Sequence, residues 1–234
     1  MDKKIRGGQT RIKPVYLINQ EGLIDLEKQA VLDGVSELIR LADVSNVELV
    51  DFGVWRNKDY KNLDDSLREY QSVDWYIEEG KRTSMDRRQV NAEAILFTFH
   101  GEPWRYPENG GNDHYDLLVV HEDIYAGDND FIIGLGIEGI GTVISTRRFF
   151  GVNNKARYEC IKTETMHEMG HVFGLLPEER TENVKNLLGK HCANKCVMRQ
   201  GLQVPDDWIL MSHHRIQHGA LCSTCRDDLR EYFR

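Results

Sequence analysis

Apolar residues along this chain come in two alternating rhythms. Val15-Tyr16-Leu17-Ile18 is an unbroken apolar run, Leu23 to Leu41 repeats apolar side chains every three or four residues, and Val47 to Val54 is again a run rich in Val, Leu and Phe. Runs read as strands and the three-to-four spacing as a helix, so the stretch predicts β-α-β, a parallel pair joined by a helical crossover. From Asp59 to Arg88 the chain is charge-dense with poor periodicity. Gln89 to Phe99 predicts a second helix running into an apolar segment, and Tyr115 to His121 a buried strand. Two more strands are expected at Phe131-Ile132-Ile133-Gly134 and Gly141 to Phe149, separated by glycines. A long helix follows, from about Arg157 to Gly174, and beyond it the chain is polar and rich in Cys and His. Without internal repeats, low-complexity tracts or Pro-rich linkers, the boundary comes from the motifs: an N-terminal α/β part over 1–174 and a smaller C-terminal part over 175–234.

With 234 residues, 40% of them hydrophobic, the chain can bury a core as one large domain or two unequal lobes. Its net charge of −8 argues against the broad basic surface that a phosphate backbone requires, so nucleic acid is not an expected partner. No run approaches the roughly 18 apolar residues of a membrane span, and Met1 to Gly8 lacks a secretory apolar core. A cytoplasmic monomer is the expectation. Five cysteines are present, and four of them, Cys192, Cys196, Cys222 and Cys225, form two short-spaced pairs in the last quarter. In a reducing compartment that arrangement suggests a four-thiolate metal site, since each pair closes a small loop and one ion staples the two. Cys160 reads as a small buried apolar residue.

Gly134-Leu135-Gly136-Ile137-Glu138-Gly139 matches the G-x-G-x-x-G string of dinucleotide sites. That site needs a helix after the glycines to receive the pyrophosphate, and here the β-forming Thr142-Val143-Ile144-Ser145 follows, so the string reads as a flexible connection between strands.

His167-Glu168-Met169-Gly170-His171 sits near the end of the predicted long helix. Residues four apart lie one turn above one another, so both imidazoles can reach one ion, and Glu168 stands where it can take a proton from metal-bound water. Ile161, Met169, Val172 and Phe173 would pack the opposite side on the core, and Gly174 offers a stop. For the third ligand His191 is preferred; Glu178, Glu179, His213, His214 and His218 are the alternatives.

This constellation, with His191-Cys192, Cys196-Val197-Met198 and Leu221-Cys222-Ser223-Thr224-Cys225 behind it, resembles the archaemetzincins, metzincin-type zinc peptidases with a second, cysteine-ligated zinc. The segments His121 to Tyr125, Asn129 to Gly134 and Ser145 to Phe149 resemble that family too. The resemblance implies a metzincin-like α/β (α+β) fold: a mixed, mostly parallel twisted sheet with a backing helix and an active-site helix, then a small irregular zinc-bound C-terminal subdomain. It implies two zinc ions, His167, His171 and His191 holding the catalytic one and the four cysteines the structural one. Glu168 becomes general base and acid, and Met198 the Met-turn residue beneath the imidazoles, with Met211 in reserve. The substrate would be a peptide or protein, held by edge pairing along Phe131 to Gly134. Three departures stand out. Cys192 and Cys196 have three residues between them where the family usually has four, Met198 to Cys222 is longer than usual, and Pro177 to Lys190 reads as a fourteen-residue insertion between the glycine turn and His191. The rival from another class is a zinc-stabilised protein-binding module with a vestigial helix site.

Overall fold

The computed structural model describes residues 11–53, 73–84, 88–102 and 112–234. Its main sheet is built from β1 (Val15–Asn19), β2 (Leu49–Asp51), β4 (Tyr115–Val120), β6 (Gly134–Ile137) and β7 (Gly141–Ser145) in the order β2-β1-β4-β7-β6. All neighbours are parallel except β6, which runs antiparallel to β7 at the edge. A two-residue β3 (Val90–Asn91) pairs with β5 (Ile124–Tyr125) beside it. The expected parallel β-α-β unit is present as β1, helix α1 (Asp25–Ala42) and β2.

Central strand β4 is buried at every position, which is why it reads as a continuous apolar run. Tyr115, Leu117 and Val119 face the layer that contains α1 and the long helix α4 (Asn154–Val172). Leu118 and Val120 face α2 (Val73–Arg82) and α3 (Ala92–His100) on the other side. Charge density had hidden α2. Its buried Val73, Tyr76, Ile77 and Gly80 nevertheless keep the i, i+3, i+4, i+7 spacing of a helix face. The rest of the charge-dense stretch, at 59–72 and 85–87, lies outside the described residues, as does Val54.

The strands on either side of the glycine string differ from the sequence expectation. The edge strand is Gly134–Ile137, three residues later than the apolar run that marked it; of that run Gly134 opens the ladder, opposite Ile144, and Ile132 makes an isolated bridge to Ile124. Of the run only Ile133 enters the core, and the chain then joins the sheet through the glycines. The G-x-G string is therefore a strand and not a flexible connector. Strand β7 ends at Ser145, and Arg147–Phe149 form a 3-10 turn.

The C-terminal part is more regular than its polarity implied. It carries a hairpin of β8 (Val184–Asn186) and β9 (Lys190–Cys192), then α5 (Asp206–His218) and α6 (Ser223–Tyr232). Polar residues dominate these helices, yet each buries one stripe: Trp208, Met211, Ser212 and Arg215 on α5, and Cys225, Leu229 and Tyr232 on α6. The principal core cluster runs from Val15 to Phe233 and so takes residues from both sides of position 174. Among the described residues no helix is long and apolar enough to cross a membrane.

Candidate metal centre

Helix α4 carries the first two imidazoles. The Asn153 side chain caps it, accepting from the Ala156 N–H at 3.0 Å, and Gly174, at φ +66°, ends it. A Cβ at Gly174 would stand 2.4 Å from the Tyr232 ring, so the turn is also where α6 closes over the helix end. α1 packs against α4 so closely that a Cβ on Gly34 would lie 2.9 Å from Thr165. Enclosed this way, α4 buries every residue from Thr163 to Gly170, and an amphipathic pattern gives way to a helix buried all round.

His167, His171 and His191 come together. Their ring centroids are 4.9, 5.2 and 5.3 Å apart, and one ring nitrogen from each lies within 4.8 Å of the others. His191 reaches the pair from β9, on the returning limb of the inserted hairpin, where it registers opposite Lys185. Glu178 and Glu179 are exposed and His213, His214 and His218 lie on α5; none of them belongs to this triad. His167 Nδ1 donates to the Val197 carbonyl at 2.7 Å, which fixes the tautomer and leaves Nε2 for an ion. Burial, reinforced by the other imidazoles, pushes His167 down to about 3 and His171 well below the ordinary histidine value, and burial lowers His191 as well. All three are therefore neutral near pH 7, the form that ligates a metal.

Met198 lies under the helix. Its sulfur would be 2.4 Å from a Cβ on Gly170, so the glycine inside His167-Glu168-Met169-Gly170-His171 makes room for it. Its backbone carbonyl accepts from the Cys192 N–H at 2.8 Å, and with Val197 bonded to His167 this one segment ties both ligand-bearing elements together. Met211 sits on α5, and it is Met198, not Met211, that meets Gly170.

Glu168 faces β6. A Cβ on Gly134 would lie 2.4 Å from its Cγ, and one on Gly136 2.4 Å from its backbone carbonyl oxygen. Alternate glycines in the edge strand thus let the helix and the strand meet across the glutamate, with Glu168 Oε2 3.1 Å from where a Cβ on Gly136 would stand. Burial and the neighbouring Glu164 raise the Glu168 pKa well above the usual carboxylate value. Glu164, one turn earlier on α4, is pushed up to about 7 by burial, against the pull of a hydrogen bond from Trp208 Nε1 at 2.6 Å. A cation among the three imidazoles is the charge that would let this acidic pair ionise. These groups open into one cleft of about 520 Å³, whose walls include β6, Trp208 and Leu188 at the tip of the inserted hairpin.

The four cysteines form the second cluster. Sulfurs of Cys192 and Cys222 are 3.7 Å apart and those of Cys196 and Cys225 3.8 Å apart. Tetrahedral zinc with bonds of about 2.3 Å puts its sulfurs roughly 3.8 Å apart, so the spacing fits. The protonation chemistry agrees: thiols of Cys196 and Cys225 help hold Cys192 down as a thiolate, while that contact pushes both of theirs up. Four thiolates in one nest need a cation. Cys160, by contrast, is buried on α4 with its thiol pushed up to about 12 by burial, the inert small residue its sequence suggested.

Sequence reasoning missed the alternate glycines of β6, Glu164, Trp208, the Val197 carbonyl and Arg180. Two signals were legible. Gly134 and Gly136 share one face of a strand, and Glu164 is four residues before Glu168 and so on the same side of α4. Nothing in the sequence pairs Trp208 with Glu164.

No family model matches the chain. It is 38% identical over 113 residues to an archaemetzincin of Nanoarchaeum equitans, covering 48% of this chain and 50% of that protein. It is 34% identical over 91 residues to one of Archaeoglobus fulgidus, covering 38% and 48%. These alignments span about half the length of the curated relatives. Among solved structures, archaemetzincin from Methanopyrus kandleri superimposes with a TM-score of 0.61 at 21% identity, covering 97% of both chains. A zinc-dependent peptidase from Methanocorpusculum labreanum gives 0.56 at 19% identity over 92% of this chain and 99% of that one. At such identities the structures establish the shared fold.

Proposed function

We propose that this chain, which belongs to the archaemetzincin family of zinc metallopeptidases, hydrolyses peptide bonds at the His167-Glu168-His171-His191 centre with one zinc, and carries a second, structural zinc on its four cysteines. One observation carries the reading: a buried glutamate stands between three neutral imidazoles and a glycine-lined edge strand, inside a cleft large enough for a peptide segment.

Zinc held by three imidazoles supplies a water acidic enough to deprotonate near neutral pH and a Lewis acid for the peptide carbonyl. Glu168 accepts the proton of the attacking water and returns it to the leaving amine. The Val197 carbonyl keeps His167 in the ligating tautomer. Strand β6 has one edge paired to β7 and the other at the margin of the sheet, so an extended peptide can add to it as a further strand, its backbone laid across Glu168. The thiolate site anchors Cys192 and through it the adjacent His191.

The test is Glu168→Gln, assayed on a mixed peptide library by mass spectrometry with zinc counted by elemental analysis. Zinc should stay bound while turnover falls by roughly 10²–10⁴-fold, the usual worth of a general base. Retained turnover would sink the mechanism. A wild-type chain holding one tight zinc and cleaving nothing would instead favour a zinc-stabilised binding module.

A further inference from the structure

We infer that Arg180 is a positioning residue: it ties the inserted hairpin to the charged thiolate cluster, so that a filled four-cysteine site holds His191 in the catalytic triad. The inference rests on the proposed four-thiolate metal site and goes beyond it, because Arg180 lies inside the segment that departs from the family pattern.

Its guanidinium is buried, with 8% of the residue exposed, and it is surrounded by acceptors. Nη1 donates to Asp228 Oδ2 at 2.5 Å and to Cys225 Sγ at 3.3 Å, and Nη2 to Cys192 Sγ at 3.6 Å. Nε donates to the Glu182 carbonyl at 3.0 Å and Nη2 to that of Asn183 at 3.5 Å. One side chain therefore grips three bodies: the backbone of its own hairpin, β9 at Cys192 and α6 at Cys225 and Asp228. Asp228 also accepts from the Leu176 N–H at 3.1 Å, just after the glycine turn of α4. The base of the hairpin closes independently, through Lys190 Nζ on the carbonyls of Pro177 and Glu178 at 2.5 and 2.7 Å.

Charge explains why an arginine is buried here. Four thiolates around a dication leave a net charge of about −2, which Asp228 makes more negative, and such a charge is costly to bury without a compensating cation. Neutral thiols are weak acceptors, so two of the guanidinium's contacts become strong only when the sulfurs are thiolates. The planar fork spans two sulfurs and two carbonyls at once, a reach that a lysine ammonium lacks. The hairpin that presents His191 is accordingly held hardest when the thiolate site is filled.

The test uses the full chain loaded with zinc or with cobalt(II), in wild type, Arg180→Met and Arg180→Lys. Removing N–H···S bonds raises the energy of the thiolate donors, so the sulfur-to-cobalt charge-transfer band of Arg180→Met should move to longer wavelength. Zinc release to a chromogenic chelator should be about tenfold faster or more, in line with other loss of support around metal ligands. Limited proteolysis within 177–190 should accelerate in parallel. Arg180→Lys should fold as wild type and fall between the two on all three measures. An unshifted band with unchanged release in Arg180→Met overturns the inference while leaving the thiolate site standing. Equal metal content in wild type and Cys222→Ser overturns the four-thiolate site itself, and this inference with it.

Discussion

Trp208 Nε1 donates to Glu164 Oε2 at 2.6 Å, and both groups are buried, one on α5 and the other on α4. The bond is the polar link through which α5 steadies the acid beside Glu168. In Trp208→Phe the indole donor is lost while most of the apolar surface stays, so Glu164 is left buried without it. The expected cost is about 1–3 kcal/mol of stability in urea melts. Glu164→Gln, whose amide oxygen still accepts from Trp208, should cost less. Equal destabilisation by both would show that the hydrogen bond does not matter.

Glu27 on α1, which belongs to neither candidate metal cluster, supplies the clearest pH dependence. Burial alone would raise its pKa, but the neighbouring His121 and Thr146 side chains, a hydrogen bond from the Ile24 N–H at 3.2 Å and the charge of Arg157 together outweigh burial and hold it at about 2 against an ordinary value of 4.5. A carboxylate depressed in the folded state stabilises it fully above the unfolded pKa, and that contribution is lost as pH falls from about 4.5 toward 2. Arg157→Met leaves a buried carboxylate with its 2.5 Å partner removed. Stability at pH 7 should drop by roughly 3 kcal/mol, and the slope of stability against pH below 4.5 should flatten. An unchanged slope would mean that Arg157 does not set the Glu27 proton affinity.

Gly136→Ala tests the contact between the edge strand and α4. The new methyl would sit 2.4 Å from the Glu168 backbone carbonyl, and backbone cannot swing aside as a long side chain can. Strand and helix must part by several tenths of an ångström, moving the edge on which a substrate would pair. Hydrolysis should fall by about 10²-fold with zinc content unchanged, since small misplacements at a reacting centre have effects of that size. A variant with full activity would remove β6 from the proposed site.

How much of this was legible follows from how local the signal is. β1, α1, β4 and α4 have long unambiguous patterns, and the spacing of His167 and His171 needs only one helical turn to become a geometry. The preference for His191 came from its neighbour Cys192, a local cue to a nonlocal contact. Signals failed where burial and pairing separate: the Phe131 run sends only Ile133 into the core while the ladder begins at Gly134, and glycines that looked like punctuation form a strand because the helix, by the Glu168 side chain at Gly134 and its backbone at Gly136, fills the space of their side chains. α5 and α6 were hidden because each buries only a narrow stripe beneath a polar majority. Arg180 was unreadable, because an arginine in a loop is ordinarily solvated and only the closed fold brings two sulfurs to it.

Leu188 carries the last prediction. It sits at the tip of the inserted hairpin with φ +50°, a left-handed conformation that costs a branched side chain on the order of 1 kcal/mol more than glycine. Its residue is 55% exposed, so burial does not repay that strain. Yet it lines the cleft, with Leu176 and Leu202 also in the wall, where an apolar side chain of a bound peptide would cover it. Leu188→Gly should therefore fold at least as stably as wild type, within about 1 kcal/mol, because relief of strain offsets the added chain entropy. The same variant should raise KM roughly tenfold for peptides with a bulky apolar residue near the cleavage point, leaving kcat and the KM of polar peptides unchanged. A uniform rise in KM across both peptide classes would mean that the leucine shapes the cleft without selecting its contents.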